Sequence, residues 1–264
     1  MENLRKYGNS PFNVVLVHGG PGAAGEMAPV AKKLSVDFGV LEPLQTAITL
    51  DGQVEELKAV IEENGDIPVF LIGFSWGAWL SFILASKYPK LVKKLILISS
   101  GPFEEKYSLN ITKTRLDRLA KEERAEVSSL INYLEDPLIK EKDAYMARFG
   151  KLISKADSCN PLPKEDGLIE CRYDIYRNVW REASELRRSG KLLELGLGLK
   201  IQCPVVAIHG DYDPHPIDGV KNPLSRVLKN FRMMVIETCG HTPWIEKYAK
   251  NKFYKILNNE LTAL

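Results

Sequence analysis

Six short apolar runs set the main constraint on how this chain can fold. They occupy residues 12–18, 36–41, 69–72, 95–98, 205–208 and 233–236, and most are nearly continuous Val, Ile and Leu. A run of this kind, too short for a helix and without a polar alternation, is the pattern of a strand buried on both faces. Between most of the runs lie stretches of helical spacing; Val54, Leu57, Val60 and Ile61 share one face, with Glu55, Glu56, Lys58 and Glu62 off it. Strands alternating with amphipathic helices predict an α/β protein with a mainly parallel sheet covered on both faces.

The alternation stops after Ser100. From about residue 103 to 200 the pattern is charged and helical, broken at residues 160–167 around Pro161 and Pro163. Strand pattern returns at Cys203. The chain therefore divides into a sheet domain, residues 1–102 and 203–264, and a helical insertion, residues 103–202. The insertion leaves from the carboxyl end of a predicted strand, the edge where open α/β sheets bind ligands. That origin predicts a cap above the edge.

Composition narrows the function. Lys plus Arg number 36 against 34 Asp plus Glu among 264 residues, so the bulk basic excess of a nucleic-acid binder is lacking. No apolar run approaches the 18 or more residues of a membrane span, and the first nine residues lack the apolar core of a secretory signal. The four cysteines are scattered, with no CxxC, and no HExxH is present. A cytoplasmic protein with buried free thiols, no metal, and neither nucleic acid nor membrane as partner is expected.

The most specific motif is Gly73-Phe74-Ser75-Trp76-Gly77, between an apolar run and a plausible buried helix. Strand, sharp turn and helix form the setting in which GxSxG presents a nucleophilic serine. The serine needs a base, and the base an orienting acid, in the chain order Ser, Asp or Glu, His. His241 follows the last apolar run. His18 and His209 each precede a glycine at a strand end, where a structural role fits better. His215 lies two residues from Asp213 in one loop, a poor position for a relay. For the acid, Asp213 competes with Asp211; Asp213 lies further into the loop, and Asp211 directly after Gly210 suits the turn. His18-Gly19-Gly20-Pro21-Gly22 ends the first run, and the N–H groups of Gly20 and Trp76 are the candidate oxyanion donors. Trp180, with Trp76 and Trp79, lines an apolar substrate pocket or simply belongs to the core. Thr242 and Pro243 read as the start of the last helix, with Trp244 in its first turn.

HGGPG, GFSWGAW, HGDYDPHP and CGHTPW, in this order and spacing, resemble the α/β-hydrolase superfamily over nearly the whole chain. HGGPG with a tryptophan after the serine is similar to the proline iminopeptidase branch. The resemblance implies a Ser75–His241–Asp213 triad, a helical cap, a small-molecule substrate and no cofactor. Serine at residue 75 sets the chain apart from the branches that use aspartate there. Two departures stand out. Only about a dozen residues precede Val14, so the first two strands of the family should be missing and the sheet order should be 4-3-5-6-7-8 in the family's count. Residues 41–46, Leu-Glu-Pro-Leu-Gln-Thr, replace the iminopeptidases' Asp-x-Arg-Gly-type loop. An iminopeptidase also needs acidic groups for the substrate ammonium; Glu104 and Glu105 are candidates, or ordinary solvated glutamates. The expected activity is hydrolysis of a small ester or amide through an acyl-enzyme. Iminopeptidase, a non-hydrolytic lyase use of the fold, and an inactive ligand-binding fold are the alternatives.

Overall fold

A computed structural model describes residues 3–163, 169–197 and 200–262. The strands in chain order are β1 (Leu4–Tyr7), β2 (Phe12–Val17), β3 (Ala23–Ala24), β4 (Gly39–Pro43), β5 (Val69–Phe74), β6 (Val92–Ile98), β7 (Glu170–Cys171), β8 (Val205–Gly210) and β9 (Phe231–Ile236). The helices are α1 (Ala28–Leu34), α2 (Leu50–Asn64), α3 (Trp76–Lys87), α4 (Ile111–Asp117), α5 (Lys121–Glu135), α6 (Asp143–Asp157), α7 (Tyr173–Arg188), α8 (Lys191–Glu194), α9 (Asp218–Val227) and α10 (Lys250–Thr262).

Seven strands form one sheet in the order β1-β4-β2-β5-β6-β8-β9, parallel throughout except for β1. The expected order of six parallel strands is therefore present, but the expectation of no strand before residue 12 is corrected. Leu4–Tyr7 runs antiparallel along the outer edge of β4, pairing Leu4 with Pro43 and Tyr7 with Val40. The strand is held by a side chain as well as by its ladder, because Tyr7 Oη donates to Glu42 Oε2 at 2.7 Å. A second correction concerns residues 36–38: the strand begins at Gly39, and Val36 is 76% exposed in the turn after α1.

Side chains alternate across the sheet as the pleat demands. Val15, Val17, Leu71, Leu95, Leu97 and Ala207 face one apolar layer, covered by α2, α3 and α9. Val14, Leu16, Ile72, Ile96, Ile98 and Ile208 face the other, covered by α1 and α10. The central helix α3 is buried from Trp76 to Ser86, so it needs no polar face. Helix α2 starts at the N-cap Thr49, whose hydroxyl accepts from Gly52 N.

Between β6 and β8 the described residues form helices α4 to α8 and the two-residue strand β7, and they pack in two parts. Ile175, Val179 and Ala183 of α7 join the layer over α2 and α3. Helices α4 to α6 have a small core of their own, made of Leu119, Val127, Leu130, Leu152 and Ala156. Of the break expected at residues 160–167, residues 164–167 lie outside the described residues. All four cysteines are free thiols, but only Cys239 is fully buried. Burial pushes the Cys203 thiol up to about 11, well clear of the reactive range. No helix among the described residues is long and apolar enough to cross a membrane.

Candidate active site

Ser75 stands between β5 and α3 with φ 52° and ψ −113°, a backbone conformation that costs a non-glycine residue about 1–3 kcal/mol. The flanking glycines make the turn possible. A Cβ on Gly73 would come within 2.1 Å of Gly77 O, and one on Gly77 within 2.4 Å of the carbonyls of Val17 and His18. The turn is anchored at the sheet edge by Ser75 N, which donates to Ile98 O at 2.9 Å.

Two other strand ends bring side chains to Ser75. Ser75 Oγ lies 3.0 Å from His241 Nε2, and His241 Nδ1 lies 2.8 Å from Asp213 Oδ2. With Nδ1–H donating to the carboxylate, Nε2 presents a lone pair to the serine hydroxyl. Asp213 is encircled by imidazoles. Its Oδ1 accepts from His215 N at 2.9 Å and from His215 Nδ1 at 2.8 Å. His209 Nε2, which donates to His215 O at 2.9 Å, lies 3.4 Å from Oδ2.

These contacts set the charges. Burial by itself would raise the Asp213 carboxyl; its neighbours His241, His215 and His209 overcome this and hold it well below the usual carboxylate range. Burial dominates at His215 and lowers it to about 4, so this ring is neutral near pH 7. At His241 burial also pulls down, but the Asp213 charge and hydrogen bond outweigh it and the ring titrates above its ordinary value. His215 and His241 face each other with ring centroids 4.6 Å apart.

The helical insertion reaches this cluster directly. The backbone O of Asp157, at the end of α6, accepts from His241 N at 2.9 Å. The Asp157 carboxylate takes a two-pronged bond from Arg115 of α4, 2.7 Å on each prong, and Arg115 Nη2 lies 3.5 Å from His215 Nε2. Residues 159–162 then run beside the histidine loop. Leu162 N donates to Ile245 O and Lys247 N to Asn160 O. The fully buried Glu246 carboxylate collects three backbone N–H groups, from Cys159, Asn160 and Gly240.

The remaining candidates fall out as follows. Gly20 has φ +42°, a left-handed value that favours glycine, and its carbonyl accepts from Ala23 N. Its loop is fastened to the insertion, since β3 pairs with β7 and Arg172 N donates to Gly22 O at 2.8 Å. Trp76 opens α3, and its indole donates to Gln53 Oε1. Trp180 is stacked between Trp79 and Tyr176, with centroids 5.8 Å and 6.3 Å away, which fastens α7 to α3. Glu104 is bound to Arg226 and Glu105 to Arg187, both at 2.7 Å. Asp211 Oδ1 accepts from Cys239 N at 3.1 Å, a bond that ties its loop to the loop after β9 rather than one within its own turn. His18 Nδ1 lies 2.7 Å from Gly19 O, and burial lowers this ring. Trp244 is not in the last helix: Pro243–Ile245 is a separate 3₁₀ turn, and Trp244 packs edge-on against Phe74.

Sequence reasoning missed Arg115, Asp157 and Glu246, which carry no motif, and set His215 aside although it stands in HGDYDPHP. Asp213, His215 and His241 place possible ligand atoms within 4.8 Å of one another. Both Nδ1 atoms are hydrogen-bonded to the carboxylate.

Comparison with known proteins agrees with this architecture. The family model of the alpha/beta hydrolase fold matches residues 13–248. Proline iminopeptidase of Thermoplasma volcanium is 25% identical over 266 residues, covering 92% of this chain and 88% of that protein. A putative 2-succinyl-6-hydroxy-2,4-cyclohexadiene-1-carboxylate synthase of Bacillus subtilis is 23% identical over 283 residues, covering 97% of this chain and 92% of that protein. The crystal structure of a proline iminopeptidase from Mycobacterium smegmatis shares the fold with a TM-score of 0.61 at 17% identity, over 98% of this chain and 93% of that one. The family match spans the parallel part of the sheet from residue 13, both loops that meet Ser75 and the helical insertion, and on it the chain belongs to the α/β-hydrolase fold family, where it resembles the proline iminopeptidase-like branch.

Proposed function

We propose that this protein is a cytoplasmic serine hydrolase that cleaves a small-molecule ester or amide through an acyl-enzyme. The observation that carries the reading is the chain from Ser75 Oγ to His241 Nε2 at 3.0 Å and from His241 Nδ1 to Asp213 Oδ2 at 2.8 Å. In this reading Ser75 Oγ attacks the substrate carbonyl as His241 Nε2 takes its proton. The tetrahedral oxyanion is met by the N–H groups of Gly20 and Trp76, each donor stabilising the transition state by about 3 kcal/mol. Collapse expels the alcohol or amine, which receives the proton from His241. Water then attacks the acyl-enzyme by the same route, with Asp213 keeping the imidazole tautomer throughout. The insertion at residues 103–202 is the cap over this edge, and its helices α4 to α6, with their separate core, meet the site through Arg115 and Asp157.

A proline iminopeptidase is the second reading, favoured by the curated relatives. The arginine pairing of Glu104 and Glu105 weighs against these two residues as the holders of a substrate ammonium. A relative named as a synthase is a reminder that the fold alone does not choose the reaction. A panel of p-nitrophenyl esters assayed beside prolyl β-naphthylamide tests the proposal. Turnover of esters with little release of naphthylamine supports the first reading; the reverse preference supports the second; turnover of neither overturns both.

A further inference from the structure

Asp213 has two oxygens and two hydrogen-bonded imidazoles, one on each oxygen, with the third ring, His209, 3.4 Å from Oδ2. Oδ2 faces His241, while Oδ1 receives both the backbone N and the Nδ1 of His215. A second histidine occupies the side of the carboxylate that a single imidazole would leave unused. Its far nitrogen is met by Arg115, and Arg115 is locked to Asp157, whose backbone O holds His241 N. The contacts form a closed loop: Asp213, His215, Arg115, Asp157, His241 and back to Asp213.

We propose that His215 is a positioning residue for the reaction at Ser75: it pins Oδ1 of Asp213 so that Oδ2 is presented to His241, and through Arg115 it ties that orientation to the helical insertion. The proposal rests on the serine-hydrolase reading of the same site. The groups that face the His215 ring are Asp213 from its own loop, His209 from β8, His241 from the loop after β9, and Arg115 from α4, with Asp157 of α6 and Tyr176 of α7 beside the guanidinium. Among them, the guanidinium and the facing imidazole both disfavour a charge on His215, while the carboxylate favours one. The ring is 11% exposed and neutral, and so acts as a fixed donor at Nδ1 and acceptor at Nε2. A charged His215 would compete with His241 for Asp213; a neutral one steers the carboxylate without cancelling its charge.

The test uses His215→Phe, which keeps a flat ring against His241 but removes both ring nitrogens, and His215→Asn, which returns an N–H near the position of Nδ1. Both leave the backbone N–H to Oδ1. In His215→Phe, kcat on the best ester should fall about tenfold, the effect of losing one hydrogen bond to a charged group, with KM changed less than about twofold. Stripped of one donor, the carboxylate acts more strongly on His241, so the acid limb of the kcat/KM profile should move to higher pH. His215→Asn should restore much of kcat and return the limb toward its original position. Arg115→Lys should lower kcat in the wild-type background and have little further effect in His215→Phe, because the two act through one chain of contacts.

A merely structural role would lower activity without moving the limb, and Asn would not rescue it. Wild-type kcat and an unmoved limb in His215→Phe would overturn the proposal. If His215→Phe fails to fold, His215→Asn is compared with His215→Gln, whose longer chain misplaces the N–H; equal activity in the two would also overturn it. Proton NMR of the wild-type protein supplies an arm independent of turnover, with two far-downfield imidazole N–H signals expected, from His241 and His215, of which His215→Asn removes one. A single signal lost only in a His241 variant would refute the geometry. Absence of any turnover or active-site labelling in the wild type, with both signals present, would instead count against the serine-hydrolase reading.

Discussion

Replacing Asp213 by Asn separates the account from its nearest rival, which places the orienting carboxylate at Asp211. An amide has one acceptor oxygen and one donor NH2. At residue 213 the Oδ1 position faces two donors, His215 N and His215 Nδ1, whereas the Oδ2 position faces His241 Nδ1. The amide therefore does best with its oxygen at Oδ1 and its NH2 toward His241. That forces His241 to accept at Nδ1 and carry its proton on Nε2, facing Ser75, where it cannot act as a base. The expected loss is that of a serine protease given the same change, about 10⁴ in kcat or roughly 5.5 kcal/mol of barrier. Asp211 makes a different bond: its Oδ1 accepts from Cys239 N at 3.1 Å, and Asn keeps a carbonyl for that purpose. Asp211→Asn should cost less than about threefold, as one neutral hydrogen bond replaces a charged one away from the reacting atoms. The assay is kcat/KM of both variants on one ester, read on the plateau above the acid limb of each pH profile, with circular dichroism to confirm folding. Equal losses, or a larger loss at Asp211, would refute the assignment.

Other consequences are as direct. Because the Asp213 contacts raise His241, kcat/KM should decline as pH falls through a value above about 6.5, the ordinary histidine value; a limb centred near pH 5.5 would contradict the proposed base. Gly73→Ala places a methyl 2.1 Å from a backbone oxygen, so insoluble protein or a loss of at least about 1–3 kcal/mol in urea unfolding is expected. Glu246→Gln sets an NH2 against backbone N–H donors and should destabilise by about 1–3 kcal/mol while also lowering kcat, since Gly240 adjoins His241; an unchanged urea midpoint would show that the carboxylate does not hold the loop. Tyr7→Phe leaves a buried Glu42 oxygen without its donor and should cost about 1–3 kcal/mol with activity unaffected.

The sequence was most legible where burial is complete. Strands β2, β5, β6 and β8 carry unbroken apolar runs because helices cover both faces. The edge was harder to read. Leu4–Tyr7 is a four-residue strand with two basic residues, and its partner Glu42 is distant in sequence, so neither periodicity nor motif marks it. Val36 misled because an apolar residue before a strand can equally sit exposed in the preceding turn. At the site, Ser75, Asp213 and His241 were legible because each follows a strand end in the order that the chemistry needs. His215 was set aside on the argument that residues two apart do not relay a proton. That argument holds, but an Asx-type turn, with His215 N on Asp213 Oδ1, curls the ring back onto the same carboxylate. Arg115, Asp157 and Glu246 look like ordinary charges of amphipathic helices and loops, and only the tertiary fold tells a buried carboxylate with three N–H partners from a solvated one.

The central claim is that Ser75 is activated by His241 to attack a carbonyl or phosphonyl centre. Its most direct test is reaction of the pure protein with a fluorophosphonate probe, followed by peptide mass spectrometry, in wild type, Ser75→Ala and His241→Ala. The account predicts one adduct in the wild type, on the peptide containing Ser75, no adduct in Ser75→Ala, and labelling slowed by orders of magnitude in His241→Ala. An adduct on another residue, or a folded wild-type protein that takes up no probe, would contradict it.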